Sequence, residues 1–245
     1  MKRLFSFIAI IVIAMPLVAE RTPRTLSFAS DFQTVPVMAN TTGVGGVVFQ
    51  TYVSLLNPTS TAFPVNVSFY DAAGTKRDAV ISLAAGEQKT FSNFLDAVFH
   101  VTGGGAVTFR SDNSANRFVV NAEVWTSGSR YGTSIPAVEF AATDSPSFAP
   151  GITVGASART NVGCFNQSSA ANTIQASVRD ASGTMTLGTV TLNLAPNAWG
   201  QTAVTTIVNG GYIEFEPSDA AVCYAVVIDN DTNDGRFIPA AEYRP

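Results

Sequence analysis

A single histidine, His100, limits the nucleophilic chemistry that this chain could perform. Hydrolysis by a Ser-His-Asp triad needs an imidazole as general base, and His100 is the only possible one among many serines. It stands just before the glycine run Gly103 to Gly105. That run lacks the G-K-[ST] ending of a phosphate-binding loop and is typical of a tight turn or bulge before a strand. We therefore predict no catalytic residue and interpret His100 as a loop residue.

Carboxylates recur in pairs, which is the pattern that a glycoside hydrolase would need. Glu139 and Glu242 occupy matching places in a repeated motif, and so do Asp71 and Asp180. Recurrence in two copies favours a structural role, because each copy would otherwise carry an equivalent active site. Asp71 and Asp180 each begin a D-A-x-G turn, where an aspartate side chain bonds to backbone N–H groups.

A group of oxygen-bearing side chains lies near the end of the chain. Residues 229–235 read D-N-D-T-N-D-G, and Ca²⁺ could be bound there by Asp229, Asp231, Asn233 and Asp234. The glycine falls one place later than an EF-hand loop needs, and no glutamate follows where such a loop ends. Two interpretations stay open, a weak calcium site and a solvated hairpin loop that turns through the Asp-Gly pair. No other cofactor is predicted.

Aromatic side chains are the remaining lead for binding. The following could stack on sugar rings if they were exposed together: Tyr70, Trp125, Tyr131, Trp199 and Tyr212. Trp125 lies in the most apolar stretch of the first half and is expected to pack in or beside the core. Trp199, in N-A-W-G-Q, is predicted to lie in a loop. It is therefore the better candidate for an exposed ligand-binding residue.

Residues 1–19 are predicted to be a signal peptide, because Lys2-Arg3 precede an apolar run that ends at Val18, and the small residue Ala19 follows. The run is short for a membrane span, which favours a cleaved signal over the alternative of a retained N-terminal anchor. No second apolar run follows it, so no span is expected after cleavage. The formal net charge is −4, and charged residues make up only 13% of the chain. Without a basic stripe, no nucleic-acid partner is expected. We expect a secreted, periplasmic or cell-surface protein.

The chain contains an internal repeat. Q-T-Y-V-S-L-L-N-P returns loosely as R-T-N-V-G-C-F-N-Q, and I-P-A-V-E-F returns as I-P-A-A-E-Y. Asn57 and Asn166 lie 109 positions apart (166 − 57). So long a period predicts two copies of one small domain rather than a solenoid. The predicted domains are residues 20–140, with an N-terminal strand, and residues 151–245, joined by a proline-containing linker at 141–150.

Strand signals dominate both copies. Residues 65–69 alternate apolar and polar types, and 173–178 occupy the matching place in the second copy. The most continuously apolar stretches, 118–125 and 222–228, are interpreted as strands at the centre of a sheet. Only residues 92–99 have helical spacing. The pattern predicts an all-β protein of two tandem immunoglobulin-like antiparallel β-sandwiches that arose by internal duplication.

Proline positions predict where the sheets have edges. Pro136 and Pro239 follow isoleucines in the repeated I-P-A motif. Because proline cannot donate to a ladder, both are expected on edge strands or at bulges, with Ile135 and Ile238 turned inward. Residues 33–37 carry a similar V-P pair and are expected to cover a domain edge.

The order of these motifs resembles a repeat domain of exported bacterial proteins that has no assigned activity. The likeness is carried by V-P-V, F-Q-T-Y-V-S-L-L-N-P, D-A-x-G, L-A-A-G-E, G-G-A-V-T-F and G-T-S-I-P-A. It covers residues 35–140 well and 151–243 more loosely, where Gln167 replaces Pro58. The resemblance implies an immunoglobulin-like β-sandwich in a surface or extracellular setting, and it supplies no catalytic residues.

Cys164 and Cys223 are the two cysteines of the chain and are predicted to form a disulfide. Export would permit the bond. Cys164 lies on the first long strand of the second copy and Cys223 on its most apolar late strand, and in an immunoglobulin-like domain such strands face each other across the core. Two buried free thiols are the alternative, because cysteine packs well as a small apolar residue.

These features predict an exported, non-catalytic structural or interaction module of the cell envelope or extracellular space. Its expected partner is an unknown protein or glycan at the cell surface. A carbohydrate-binding protein that uses exposed aromatics is the alternative, and a secreted hydrolase is the third possibility. Glycan binding that is lost on Trp199→Ala would favour the alternative.

Overall fold

The computed structural model describes residues 29–43, 46–126, 132–139 and 143–242. These residues form antiparallel strands and one short helical turn, so the protein is all-β. No helix in these ranges is long and apolar enough to cross a membrane. The predicted signal peptide at 1–19 and the aromatic candidate Tyr131 lie outside the described residues.

The first half of the chain contributes strands β1 to β8. Their bounds are β1 (Phe32–Thr42), β2 (Val48–Leu56), β3 (Phe63–Tyr70), β4 (Lys76–Leu83), β5 (Gln88–Phe91), β6 (Gly103–Arg110), β7 (Val119–Thr126) and β8 (Thr133–Ile135). A π-helical turn, Leu95–Phe99, lies between β5 and β6 and is shorter than the helix predicted over 92–99. His100 ends this turn in a left-handed conformation, with φ 53°.

The second half contributes strands β9 to β17. Their bounds are β9 (Ser147–Val154), β10 (Ala158–Asn166), β11 (Asn172–Arg179), β12 (Thr186–Leu194), β13 (Trp199–Val204), β14 (Val208–Pro217), β15 (Ala221–Asp229), β16 (Gly235–Pro239) and β17 (Ala241–Glu242).

The strands of the two halves follow the same order. In the first half, β4-β3-β6-β1 continues into β2-β7-β8, and β5 pairs with the later part of β2. In the second half, β12-β11-β14-β9 and β13-β10-β15-β16 form two sheets, and β17 extends the first of them. Strands β9 to β16 thus take the places of β1 to β8. Among the described strands, the pairing of β1 with β2 over Asn40 to Thr42 has no counterpart.

Apolar and polar residues alternate along the strands, so that the apolar side chains point into two cores. In β3, Val65 and Val67 are fully buried on either side of half-exposed Asn66, and in β11 Ile174 and Ala176 are fully buried on either side of exposed Gln175. Full burial of a valine or isoleucine side chain contributes about 1.5–3 kcal/mol, and the smaller Ala176 contributes less. One core lies in each half, and both are bounded by antiparallel strands.

The repeated prolines lie at sheet edges, as predicted. Pro136 directly follows β8, Pro239 ends β16, and both strands are the last in their sheets. Ile135 and Ile238 are turned inward and are only 3% and 7% exposed. An edge strand tolerates proline because its outer N–H positions have no partner strand.

One boundary prediction needs correction. β9 begins at Ser147, so the end of the segment predicted as a linker at 141–150 is strand, and the second half starts before residue 151. Pro150 does not stop this strand, because it lies opposite Tyr212 beside a register shift where the ladder is already interrupted. The N-terminal strand β1 pairs with β6 along most of its length and with β2 at its end. Residues 33–35 of β1 therefore cover the edge of β6, as expected for the V-P segment, and the end of the strand goes on to pair with β2.

Candidate functional site

The two halves meet through the outer face of the β13-β10-β15-β16 sheet. Tyr224 of β15 is fully buried, and its ring belongs to the core of the first half rather than to that of its own half. Phe237 of β16 stacks on Tyr224 with ring centroids 5.1 Å apart. Burial raises the pKa of Tyr224, and its hydroxyl donates to Gln201 Oε1 at 3.0 Å. The second half thus supplies part of the first core.

Trp199 lies in this junction. It begins β13, is half-buried, and donates from its indole Nε1 to the Tyr224 hydroxyl at 3.0 Å. Its ring lies so close to Gly104 that a Cβ there would be 3.0 Å from it. The predicted loop position of Trp199 is wrong, because pairing with Phe165 of β10 extends the sheet to this residue.

A cavity of about 420 Å³ lies between the two halves beside Trp199. The first half contributes residues from β1, β2, β7 and β8, and the second half contributes residues from β10, β13, β15 and β16. Its main apolar lining residues are Val37, Met38, Val124, Ile135, Val226 and Ile228. An apolar cavity of this size at a junction between domains is typical of a small-molecule site.

Four polar side chains of the second half line the same cavity, namely Arg159, Asn161, Gln201 and Asn233. Arg159 and Asn161 are two positions apart on β10 and so lie on one face of the strand, and Gln201 lies on neighbouring β13. Arg159 donates from Nη1 to Asn230 Oδ1 at 3.0 Å and from Nη2 to Asn233 Oδ1 at 2.9 Å. These bonds orient the guanidinium group at the cavity.

A larger polar groove of about 1160 Å³ runs over the outer face of β4, β3 and β6. Ser68 donates to Asp78 Oδ1 at 2.6 Å, and this bond, together with Lys76, holds the pKa of Asp78 below its usual value. Arg110 lies over the ring of Phe32, 4.8 Å from its centroid. Further lining residues are Asn66, Tyr70, Asp112, Glu139, Gln167 and Asn197. The groove is thus bordered by both halves.

The Cys164–Cys223 disulfide predicted from the sequence is present. The two cysteines lie directly opposite each other on the neighbouring strands β10 and β15, with Cα atoms 4.1 Å apart. The bond therefore joins two strands of one sheet and does not cross the core between sheets, which corrects the predicted geometry. Both side chains belong to the second core. In the first half, Leu55 lies opposite Val120 in the same arrangement.

The loop at 229–235, for which a weak calcium site and a solvated hairpin were both left open, forms a hydrogen-bonded hairpin. Asp229 Oδ1 accepts hydrogen bonds from the backbone N–H groups of Thr232 at 2.8 Å and Asp231 at 2.9 Å, which hold the pKa of Asp229 below its usual value. Asn233 Oδ1 accepts from Arg159, and Asp229 N donates to Asp234 O. In the described part of the chain, Asp, Glu, His and Cys side chains form no group of three that could hold a metal.

The aspartates that recur in both halves cap turns, as predicted. Asp71 accepts hydrogen bonds from two backbone N–H groups of its turn, at 2.9 and 2.8 Å. Asp180 accepts one from Met185 N at 2.9 Å and another from the hydroxyl of Ser182. The Ser182 hydroxyl is the main cause that holds the pKa of Asp180 below its usual value.

The remaining residues considered for catalysis lie on different elements. His100 is exposed at the end of the helical turn. Glu139 lines the polar groove, and Glu242 lies on β17, where it accepts a hydrogen bond from Thr143 Oγ1 at 3.0 Å.

The contribution of Tyr224, Arg159 and Asn161 to the junction was not predicted from the sequence. One signal was available in β15, where V-C-Y-A-V-V-I is apolar at both alternating sets of positions. Such a run indicates a strand that is buried on both faces. In the corresponding strand β7, Asn121 and Glu123 make one face polar.

Comparison of the chain with protein-family models, with curated proteins and with solved structures finds no match, so its function has to be argued from the site itself.

Proposed function

We propose that the chain is an exported, non-catalytic interaction module of the cell envelope or extracellular space, built from two immunoglobulin-like β-sandwiches that arose by internal duplication. Matching register supports the duplication. Leu55 lies opposite Val120 as Cys164 lies opposite Cys223. Val67 likewise lies opposite Phe109, as residue 176 lies opposite 215. The equal strand order of the halves gives the same support.

Two further observations support export and a non-catalytic role. The disulfide is a bond that persists in oxidising compartments, which agrees with the signal peptide predicted at 1–19. The recurring aspartates Asp71 and Asp180 accept hydrogen bonds from their own turns, which accounts for their recurrence without an active site.

The polar groove at the junction carries the proposal that the module binds a partner. The groove is about 1160 Å³ in volume, and residues from both halves border it. Its exposed charged side chains, Lys76, Asp78, Arg110 and Asp112, can meet complementary groups of a protein or glycan at the cell surface.

The test is binding of the purified mature chain to isolated cell envelopes. We expect saturable binding that weakens on Arg110→Glu. The control is Arg236→Glu, because Arg236 is exposed on β16 outside the groove, and this variant should bind like wild type. Absence of saturable binding, or equal binding by both variants, would contradict a partner at the groove. Turnover of an ester, glycoside or peptide substrate that is lost on His100→Ala would contradict the non-catalytic role.

Carbohydrate binding is the second candidate, and the same groove favours it. Tyr70 lies there next to the hydrogen-bonding side chains of Asn66 and Ser68 on the same face of β3, which suits stacking on a sugar ring with hydrogen bonds to its hydroxyls. A glycan array would decide between the candidates. Glycan binding that survives Tyr70→Phe and fails with Tyr70→Leu would support carbohydrate binding in the groove. Glycan binding that neither change affects would exclude the groove as the sugar-binding site.

A further inference from the structure

The cavity between the halves is mainly apolar on the side of the first half, and its amide and guanidinium groups lie on the side of the second half. Val37, Met38 and Val124 of the first half, with Val226 of β15, form apolar walls around a volume of about 420 Å³. This lies within the range of roughly 300–1,000 Å³ that small-molecule sites occupy. An apolar group that enters such a cavity leaves water and gains contacts on several sides.

Arg159 is the only charged residue that lines the cavity within the described part of the chain. Its bonds to Asn230 and Asn233 use two of the five N–H donors of a guanidinium group. No carboxylate of the described residues lies within ion-pair distance of it. A planar guanidinium with free donors is suited to bind a carboxylate.

Two amide side chains extend this donor side. Asn161 follows Arg159 on the same face of β10 and lines the cavity. Gln201 is exposed at the cavity, and its Oε1 accepts a hydrogen bond from the Tyr224 hydroxyl. The Nε2 donor of Gln201 is therefore directed away from that bond. A ligand head that accepts hydrogen bonds therefore has several donors within one patch.

The surrounding charges favour a monoanion. Asp229, Asp231 and Asp234 belong to the loop whose asparagines hold Arg159, and the whole chain carries a net charge of −4. These negative charges oppose a doubly charged phosphate more strongly than a singly charged carboxylate. We propose that the cavity between the halves binds a small amphipathic carboxylate, with its apolar body against the first half and its carboxylate on Arg159. This site is separate from the polar groove and does not depend on the partner proposed there.

The experiment uses decanoate and its uncharged analogue decanol, titrated into the full mature chain and followed by calorimetry. We expect saturable binding of one decanoate per chain and at least tenfold weaker binding by Arg159→Gln, because a hydrogen bond to a charged group is lost. Decanol should bind wild type and Arg159→Gln alike. Arg236→Gln is the matched control, since Arg236 lies on β16 outside the cavity, and it should bind decanoate like wild type.

A second variant tests the cavity independently of Arg159. Thr41 lines the cavity and is exposed, so Thr41→Trp narrows the cavity without a change in either core, and it should abolish binding of both probes. Circular dichroism and a melting curve establish that each variant is folded. No saturable binding of decanoate to wild type, equal affinity of wild type and folded Arg159→Gln, or unchanged binding by Thr41→Trp would each overturn the proposal.

Discussion

Asn57 and Asn166 organise the turns around them through the same set of hydrogen bonds. In each half, Nδ2 donates to two backbone carbonyls, at 2.8 and 2.9 Å for Asn57 and at 2.8 Å twice for Asn166. Oδ1 accepts from the backbone N–H two residues later. Both side chains are fully buried. An amide is required because it supplies two donors and an acceptor where water cannot reach.

Asn166→Ala should lower the free energy of unfolding by about 2–4 kcal/mol, because buried backbone carbonyls and an N–H group lose their partners. Urea unfolding measures the change. Asn209→Ala, at an exposed position on β14, is the control and should stay within about 0.5 kcal/mol of wild type. Equal stability of the two variants would show that the buried amide contributes nothing.

The disulfide should stabilise the second half by up to about 4 kcal/mol, because it closes a loop whose ends are 59 residues apart. Cys164→Ala with Cys223→Ala removes both the bond and core volume. Cys164→Leu with Cys223→Val instead copies the pair that the first half has at the corresponding place. Thermal melts should place this second variant between the alanine variant and wild type. A leucine-valine variant no more stable than the alanine variant would contradict the correspondence of the two pairs.

At the scale of the strand, the outer faces of β7 and β15 differ because one is exposed and the other covered. Tyr224 and Val226 take the places of Asn121 and Glu123, as the pairing of each strand with its neighbours establishes. The apolar pair packs against the core of the first half, whereas Asn121 is exposed. The two halves therefore share a strand order although the outer faces of β7 and β15 differ. Whether a face is exposed to water or covered by the other half determines its residue types.

Gly163 of β10 makes room for the ring of Tyr224, since a Cβ on Gly163 would overlap the hydroxyl end of that ring. Gly163→Ala should lower the free energy of unfolding by about 1–3 kcal/mol, because the ring must move within a packed junction. Gly155→Ala is the matched control, since a Cβ there meets nothing within 4 Å. We expect no loss from the control in urea unfolding. Equal effects of the two substitutions would contradict the close approach of Tyr224 to β10.

Sequence periodicity was sufficient to predict most strands, because alternation in residues 65–69 and 173–178 depends on local geometry alone. The cysteine pair could be predicted because the chain has only two cysteines. It could not place Trp199 or Pro150, whose environments depend on strands distant in the chain. The cavity was also beyond prediction, since Arg159 and Met38 meet only when the halves dock. Patterns report which residues are buried, and they do not report which surface covers them.

At the scale of the whole molecule, the second half completes the core of the first. Tyr224 is part of that core, and Trp199, Val226 and Phe237 pack against it. Backbone and side-chain bonds add to the junction, including Trp199 N to Asp71 O at 3.0 Å and Thr133 Oγ1 to Gly235 O at 2.7 Å. Removal of this cover would expose aromatic surface and open the first core to water. The halves should therefore unfold as one cooperative unit.

The most direct test of this shared core is amide hydrogen exchange, followed by mass spectrometry across a urea series with the disulfide intact. Peptides that cover β3 and β11 report on the first and second core separately. Both should lose protection at the same urea concentration in the wild type. They should separate in a variant with Tyr224→Asn, Val226→Glu and Phe237→Ser, which gives the outer face the residues of the first half. Separate midpoints in the wild type, or coincident midpoints in the folded variant, would contradict a core shared between the two halves.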